Sequence, residues 1–284
     1  MSNVLVLNST MTSSIVNNTV YTFNFQTGYT IKSGATISVS SIIIPYSWFN
    51  ITNTYGNNKF TYTWVGASPV TYSVTIPDGF YTTTDLNTYL QSVMISNGNY
   101  LVDNNGNNVY YIEFLTNQNA YAIQLLTYPV PASLPSGYTN PASMVYSTST
   151  PYTPYITVPV STTTNSFSSL IGFPAGQYPP TATQSSKYSY NGTLTPTTTP
   201  INSVIVKCNL VSNNSKNPSD ILDSFTFQNT AFGSNGVYMP TFPSRVALKA
   251  GIYNSLIITF VDQNFNTIYA KDPNTLITLL IENN

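Results

Sequence analysis

The chain has 284 residues, a net charge of −1 and only 6% charged residues, against about 25% in an ordinary soluble domain. Its 8 Lys and Arg are scattered singly from Lys32 to Lys271, so there is no basic stripe to neutralise phosphates, and the 23 Tyr have no cationic groove in which to stack bases. There is no His, which removes the usual neutral-pH general base, the commonest metal ligand, and the Ser-His-Asp and Cys-His nucleophile systems.

Polarity is carried instead by Asn, Ser, Thr, Gln and Tyr. A surface this close to neutrality promotes association and suits a protein packed against neighbours. The single Cys208 excludes an intrachain disulfide; within the apolar run 203–210 it reads as a small buried hydrophobe. The N-terminal residues MSNVLVLNSTM carry no basic residue and too short an apolar run for a signal peptide. No stretch approaches the length of a membrane span.

Residues 4–7 form a short apolar run, read as a terminal arm or edge strand. Residues 19–26 alternate, with Tyr21, Phe23 and Phe25 on one face. Residues 36–44 alternate at first, then become continuous at Ile42, Ile43 and Ile44, which reads as an end covered on both sides. Residues 59–65 place Phe60, Tyr62 and Trp64 on one face, and residues 70–76 do the same with Tyr72, Val74 and Ile76. Pro77, Asp78 and Gly79 make a turn. A helix is expected over 83–96: Leu86, Tyr89, Leu90, Val93 and Met94 form one stripe, Thr82 and Asp85 can make a capping box, and Gly98 can end it.

A turn cluster at 103–108 leads to a hairpin expected over 109–126. Residues 127–200 are dense in Pro, Thr, Ser and Tyr and read as largely extended and irregular with no buried periodicity, apart from one apolar island at 167–173. Strand signals return at 203–211, 225–227, 253–261 and 276–281. Asn235 and Gly236 read as a turn, with an exposed connection around Pro240 and Pro243. Four strand signals from residue 19 to Ile76 and four after Ser203 suit an eight-stranded jelly-roll sandwich. The all-β expectation is therefore a sandwich from 1–76 and 201–284, with 77–200 inserted as helix, hairpin and Pro/Thr-rich segment.

Chemistry is sparse. The 9 carboxylates are dispersed, and Asp220 with Asp223, the nearest two of interest, read as turn acids rather than a glycosidase pair. The run Asp103-Asn104-Asn105-Gly106-Asn107-Asn108 lacks the alternating acids and closing Glu of a calcium loop. No phosphate-binding glycine motif occurs. An enzyme is not expected, and neither is a cofactor or metal.

Four stretches, IPDGFYTTTDLNTYLQ (76–91), FSSLIGFPAGQYP (167–179), VIVKCNLVSN (204–213) and SDILDSFTF (219–227), together with the C-terminal run 258–284, resemble the penton, or minor capsid, protein of virophages, polinton-like viruses and related large eukaryotic DNA viruses. The positions carrying that resemblance are Pro77, Asp78, Gly79, Leu86, Asn87, Leu90, Leu170, Gly172, Phe173, Asn209, Asp262, Asp272 and Asn274. The resemblance implies a single jelly roll and a homopentamer closing the five-fold vertices of an icosahedral capsid. It also implies trimers of a double jelly-roll major capsid protein, with other minor capsid or spike proteins, as partners, and residence in a virion assembled in an infected host cell. It implies no catalytic residue. The competing expectation is a non-enzymatic carbohydrate-binding jelly roll, in which Trp48, Trp64 or a Tyr platform would stack on sugars.

Overall fold

The structure is a computed structural model that describes residues 2–148, 152–163, 165–181, 185–227 and 230–283. By its internal contacts the chain divides into two compact units. One runs up to Phe49 and resumes at Ile201; the other is Asn50–Pro200.

The first unit contains eight principal strands in chain order: Ser2–Asn8, Val20–Ile31, Thr36–Pro45, Val204–Cys208, Ile221–Phe225, a sixth in two pieces (Asn235–Tyr238 and Val246–Ala247), Gly251–Asp262 and Leu276–Glu282. One sheet reads first, eighth, third, sixth; the other reads fifth, fourth, seventh, second, with the short strand Ser14–Val16 beyond the second. All these pairings are antiparallel. The chain crosses between sheets at every step except fourth to fifth, which is the order of a jelly roll.

Side-chain alternation explains the layering. In Leu276–Glu282 the residues Ile277, Leu279 and Ile281 are buried and their neighbours half-buried, the period of a strand with one covered face. Thr36–Pro45 turns Ile37 and Val39, then Ile42 and Ile44, into the same core. That change of phase is absorbed by a bulge opposite Thr278 and Leu279. Ile43 therefore faces outward, half-buried, and the continuous apolar run does not mark a strand covered on both sides. From the other sheet Tyr21, Phe23, Val206, Cys208, Ile258 and Phe260 enter this same core.

The second unit has a core of its own. Gly176–Tyr178, Tyr155–Val158, Lys59–Trp64 and Val70–Thr75 form one antiparallel sheet; Tyr188–Asn191, Ala122–Thr127 and Ile112–Asn117 form another; Leu101–Val102 pairs with Asn108–Val109. The helix is Thr83–Ser96, with the capping box of Thr82 and Asp85 in place and Leu86, Leu90 and Met94 buried. Gly98 follows it in the left-handed conformation, φ +70°. The apolar island is a short helix, Phe167–Ile171.

Three expectations are corrected. The boundary lies at 49/50 rather than 76/77, because Lys59–Trp64 and Val70–Thr75 pair with Tyr155–Val158 and not with the sandwich. The insertion accordingly follows the third sandwich strand, not the fourth. The Pro/Thr-rich segment is not without buried periodicity, since Ile156 and Val158 alternate into the core from Tyr155–Val158. Finally, Asn235–Tyr238 is a strand on Thr36–Pro45, not a turn. Within the Pro/Thr-rich segment, 149–151, 164 and 182–184 lie outside the described residues.

Candidate functional site

The residues that carry the family resemblance divide between the two units. In the second unit, Asp78 Oδ1 accepts from the Asn53 N–H at 2.8 Å. Gly79 exchanges both backbone hydrogen bonds with Ile51, at 3.0 and 3.1 Å, so Pro77-Asp78-Gly79 ties the start of the unit to the approach of the helix. Leu86 and Leu90 are buried under that helix. Between them Asn87 Oδ1 accepts from the Phe114 N–H at 2.9 Å, fixing the helix to the strand Ile112–Asn117.

Leu170 and Phe173 are buried, and Gly172 ends its helix at φ +76°. A Cβ on Gly172 would collide with the Leu194 carbonyl oxygen, so glycine is required there both for conformation and for space.

In the first unit, Asn209 Oδ1 accepts from the Ile257 N–H at 2.8 Å, extending the fourth strand's grip on the seventh. Asp262 Oδ1 accepts from the N–H groups of Asn264 and Asn266, each at 2.8 Å, and its Oδ2 from Asn266 Nδ2 at 3.1 Å. Asp272 Oδ1 takes the Asn274 N–H at 2.9 Å, and its own N–H donates to Ser47 Oγ at 3.0 Å. Asp262 and Asp272 are occupied with the backbone of their own turns and Asn209 with the backbone of the seventh strand, which is how Asp and Asn substitute for missing ladder bonds. All of them serve as framework.

Among the described residues no three His, Cys, Asp or Glu side chains gather closely enough to hold a metal. Asp85 is held below its usual range by the Thr82 hydroxyl and N–H, and Asp103 by the backbone and side chain of Asn107. Burial pushes the Cys208 thiol up to about 11 and Tyr111 up to about 12. These movements lead away from neutrality, the reverse of what general acid–base catalysis at neutral pH requires. Both tryptophans are buried, Trp48 in the first core and Trp64 in the second, so neither offers a face to a sugar.

The first unit has a groove of about 650 Å³ lined by Ser224, Phe225, Thr226, Phe227, Val237 and Tyr238, among others. It opens at the edge strands Ile221–Phe225 and Asn235–Tyr238, one from each sheet. Phe227 lies across the edge-strand backbone at Gly236, where a Cβ would enter its ring. No charged residue is among those lining the groove. Sequence reasoning missed this groove because its walls come from strands that are neighbours only once both sheets are paired. The signal that was available is the absence of charge from 224 to 244. In the second unit, hollows of about 240 and 280 Å³ hold no carboxylate; one has Tyr121 and Asn117, the other Lys59 and Thr157, at its wall.

No family model matches the chain, and no curated protein matches its sequence. Among solved structures it is similar to the penton protein of mavirus, at 9% identity over 99% of each chain with a TM-score of 0.46. It is also similar to a chain of the Sputnik virophage, at 14% identity over 98% of this chain and 97% of that one, with a TM-score of 0.37.

Proposed function

We propose that the chain is a structural virion protein: a penton, or minor capsid, protein whose copies form a homopentamer at the five-fold vertices of an icosahedral capsid. The observation that carries this reading is the combination of a single jelly roll with motif residues that all hold framework rather than line a cleft. Such a protein works through shape. A rigid sandwich presents its sides to other subunits, and its sparse charge lets those sides come together without burying unpaired ions. Rings form when one patch meets a different patch by a rotation that closes.

On this reading the partners are other copies of the chain and the trimers of a double jelly-roll major capsid protein, and the protein resides in the virion shell. The carbohydrate-binding alternative is left without a tryptophan platform, because Trp48 and Trp64 are both buried.

The test is the oligomeric state of the purified full chain. Native mass spectrometry is expected to give five copies, and negative-stain images a five-fold ring. A stable monomer that binds glycans on an array would overturn the proposal in favour of the alternative.

A further inference from the structure

The two sheets of the sandwich end together on two flanks. On one, the first and second strands meet: Asn3 Nδ2 donates to the Tyr29 hydroxyl at 3.1 Å. On the other, the fifth and sixth strands meet through the stacked rings of Phe225 and Tyr238. Each sheet contributes one edge to each flank.

Charge is sparse on both: the second flank carries Asp223, whose Oδ2 accepts from the Tyr238 hydroxyl, and the groove lining beside it has none. No charged residue precedes Lys32, so the first flank, with Ser2–Asn8 and Ser14–Val16 at its edges, has none of its own. No charged residue occurs from 224 to 244, the run that builds the groove side of the second flank. Exposed apolar side chains occur on both: Val4, Val6, Met11, Ile15 and Val16 on the first, and Val237, Met239 and Phe242 on the second, with Phe242 89% exposed.

The edges themselves differ. Free edge strands are normally shielded from pairing by charge, proline, bulges or shortness. Ser14–Val16 has three residues. Ile221–Phe225 carries Asp223 and pairs through a bulge. Asn235–Tyr238 has four residues, with Phe227 laid over Gly236. Ser2–Asn8 has none of these: seven residues, SNVLVLN, are paired in unbroken register, on one side only among the described residues. One flank thus ends in an open strand edge whose outer face carries Val4 and Val6, and the other is recessed and lined with aromatic and hydroxyl groups.

We infer that these flanks are the two halves of one head-to-tail interface, in which the Val4 and Val6 side of one copy seats against the Phe225–Tyr238 groove of the next. The inference rests on the ring reading above and assigns its contact surfaces. The occupant is a second copy because the halves are unlike one another, lie on opposite sides of the same sandwich, and neither the valine side nor the groove lining holds a charged residue. A charged partner would have to bury its ions unpaired against either half, whereas another copy brings the matching half with it. Unlike halves on one molecule make a heterologous contact, the kind that closes into rings.

The test is cross-linking of the full chain with a short bis-maleimide after Val6→Cys and Met239→Cys substitution. Cys208 is buried and stays silent. The double variant is expected to give a covalent ladder up to the ring size, at least tenfold above either single variant. Val4→Cys with Phe242→Cys repeats the reading at a second exposed pair.

Dimers from Val6→Cys alone would mean that the flank meets itself, and would overturn the inference. Intact rings by native mass with no ladder from either pair would overturn the interface while leaving the ring standing. Monomers in all variants and in the unsubstituted chain would overturn both.

Discussion

Phe225 and Tyr238 stack with ring centroids 5.0 Å apart and 16° between planes, although they stand on edge strands of different sheets. The Tyr238 hydroxyl continues past the stack and donates to Asp223 Oδ2 at 3.1 Å. One side chain therefore closes the flank twice, through its face and through its tip. Stacking of this kind contributes about 0.5–1.5 kcal/mol beyond area burial, and a hydrogen bond on a half-buried edge about 1 kcal/mol. Tyr238→Phe is expected to cost about 1 kcal/mol and Tyr238→Leu about 2 kcal/mol, read by urea unfolding. Equal losses from the two would mean that the stack holds nothing.

The same tyrosine sets an alkaline limit. Burial, then the Asp223 carboxylate, pushes Tyr238 up to about 12; burial, then Tyr138 and Tyr146, pushes Tyr111 up to about 12. In each case the folded value lies above the ordinary 10.0. Between those values the folded state holds a proton that the unfolded state has lost, so stability falls as pH rises. The contribution is complete below the ordinary tyrosine range and is lost as pH climbs through the folded values. Tm measured from neutral pH upward is expected to decline there, and Tyr238→Phe should flatten part of that decline. A slope unchanged in Tyr238→Phe would remove this group as its source.

The strand count was legible and its membership was not. Two of the eight strands expected in the sandwich, Lys59–Trp64 and Val70–Thr75, belong to the other unit. Their places are taken by Ser2–Asn8, read as an arm or edge, and by the split strand from Asn235, whose Asn-Gly pair suggested a turn. The physical reason is that a period of two reports one covered face and is silent on which sheet covers it. Tyr155–Val158 was hidden because four residues between Pro154 and Pro159 give too short a pattern to stand out. The helix was legible throughout, since its cap, stripe and terminating glycine all lie within one local stretch. The groove was not, because Phe225 and Tyr238 meet only through pairing with the fourth and third strands.

That helix gives the cleanest local prediction. Thr82 Oγ1 accepts from the Asp85 N–H at 3.2 Å, and Asp85 Oδ2 accepts from the Thr82 N–H at 2.9 Å. Thr82→Ala is expected to cost about 1 kcal/mol, the usual loss for a cap. Asp85 is held below its ordinary 3.8 by the Thr82 hydroxyl first and its N–H second. A lowered carboxyl contributes stability above its ordinary value and loses it as pH falls through the folded one. The deficit of Asp85→Asn should therefore shrink toward zero in acid, while that of Thr82→Ala keeps its hydrogen-bond part. Parallel curves for the two variants from neutral pH into acid would contradict the capping account.

Gly172 and Gly98 share a conformation and differ in surroundings. Their φ values are +76° and +70°, a region that costs an L side chain roughly 1–2 kcal/mol. A Cβ at Gly98 would meet the Ser143 side chain, which can rotate away; a Cβ at Gly172 would meet the Leu194 carbonyl, which is backbone. Gly98→Ala is expected to cost about 1 kcal/mol and Gly172→Ala at least about 2 kcal/mol. The order of the two midpoints in urea checks this, and a reversed order would mean that the segment at Leu194 yields more easily than a serine side chain.

Tyr62 carries the heaviest polar role in the second core. It is fully buried, stacked on Tyr72 at 5.0 Å, and its hydroxyl donates to Asn99 Oδ1 at 2.9 Å while accepting from Asn97 Nδ2 at 2.9 Å. Asn97 is the C-cap of the helix, so one hydroxyl fastens the sheet to the helix end. Asn99 is itself buried, and its Nδ2 has no partner among the described residues. Tyr62→Phe keeps the packing and strands the Asn99 carbonyl in the core, which costs about 1–3 kcal/mol. Asn99→Ala removes that stranded group but leaves the Tyr62 hydroxyl with Asn97 alone. If the hydroxyl and the amide act as a pair, the double variant should be less destabilised than the sum of the singles by about 1 kcal/mol. Strict additivity in a double-mutant cycle would mean that the Tyr62–Asn99 bond contributes nothing of its own, leaving the Asn97 bond and ring packing to fasten this part of the sheet to the helix.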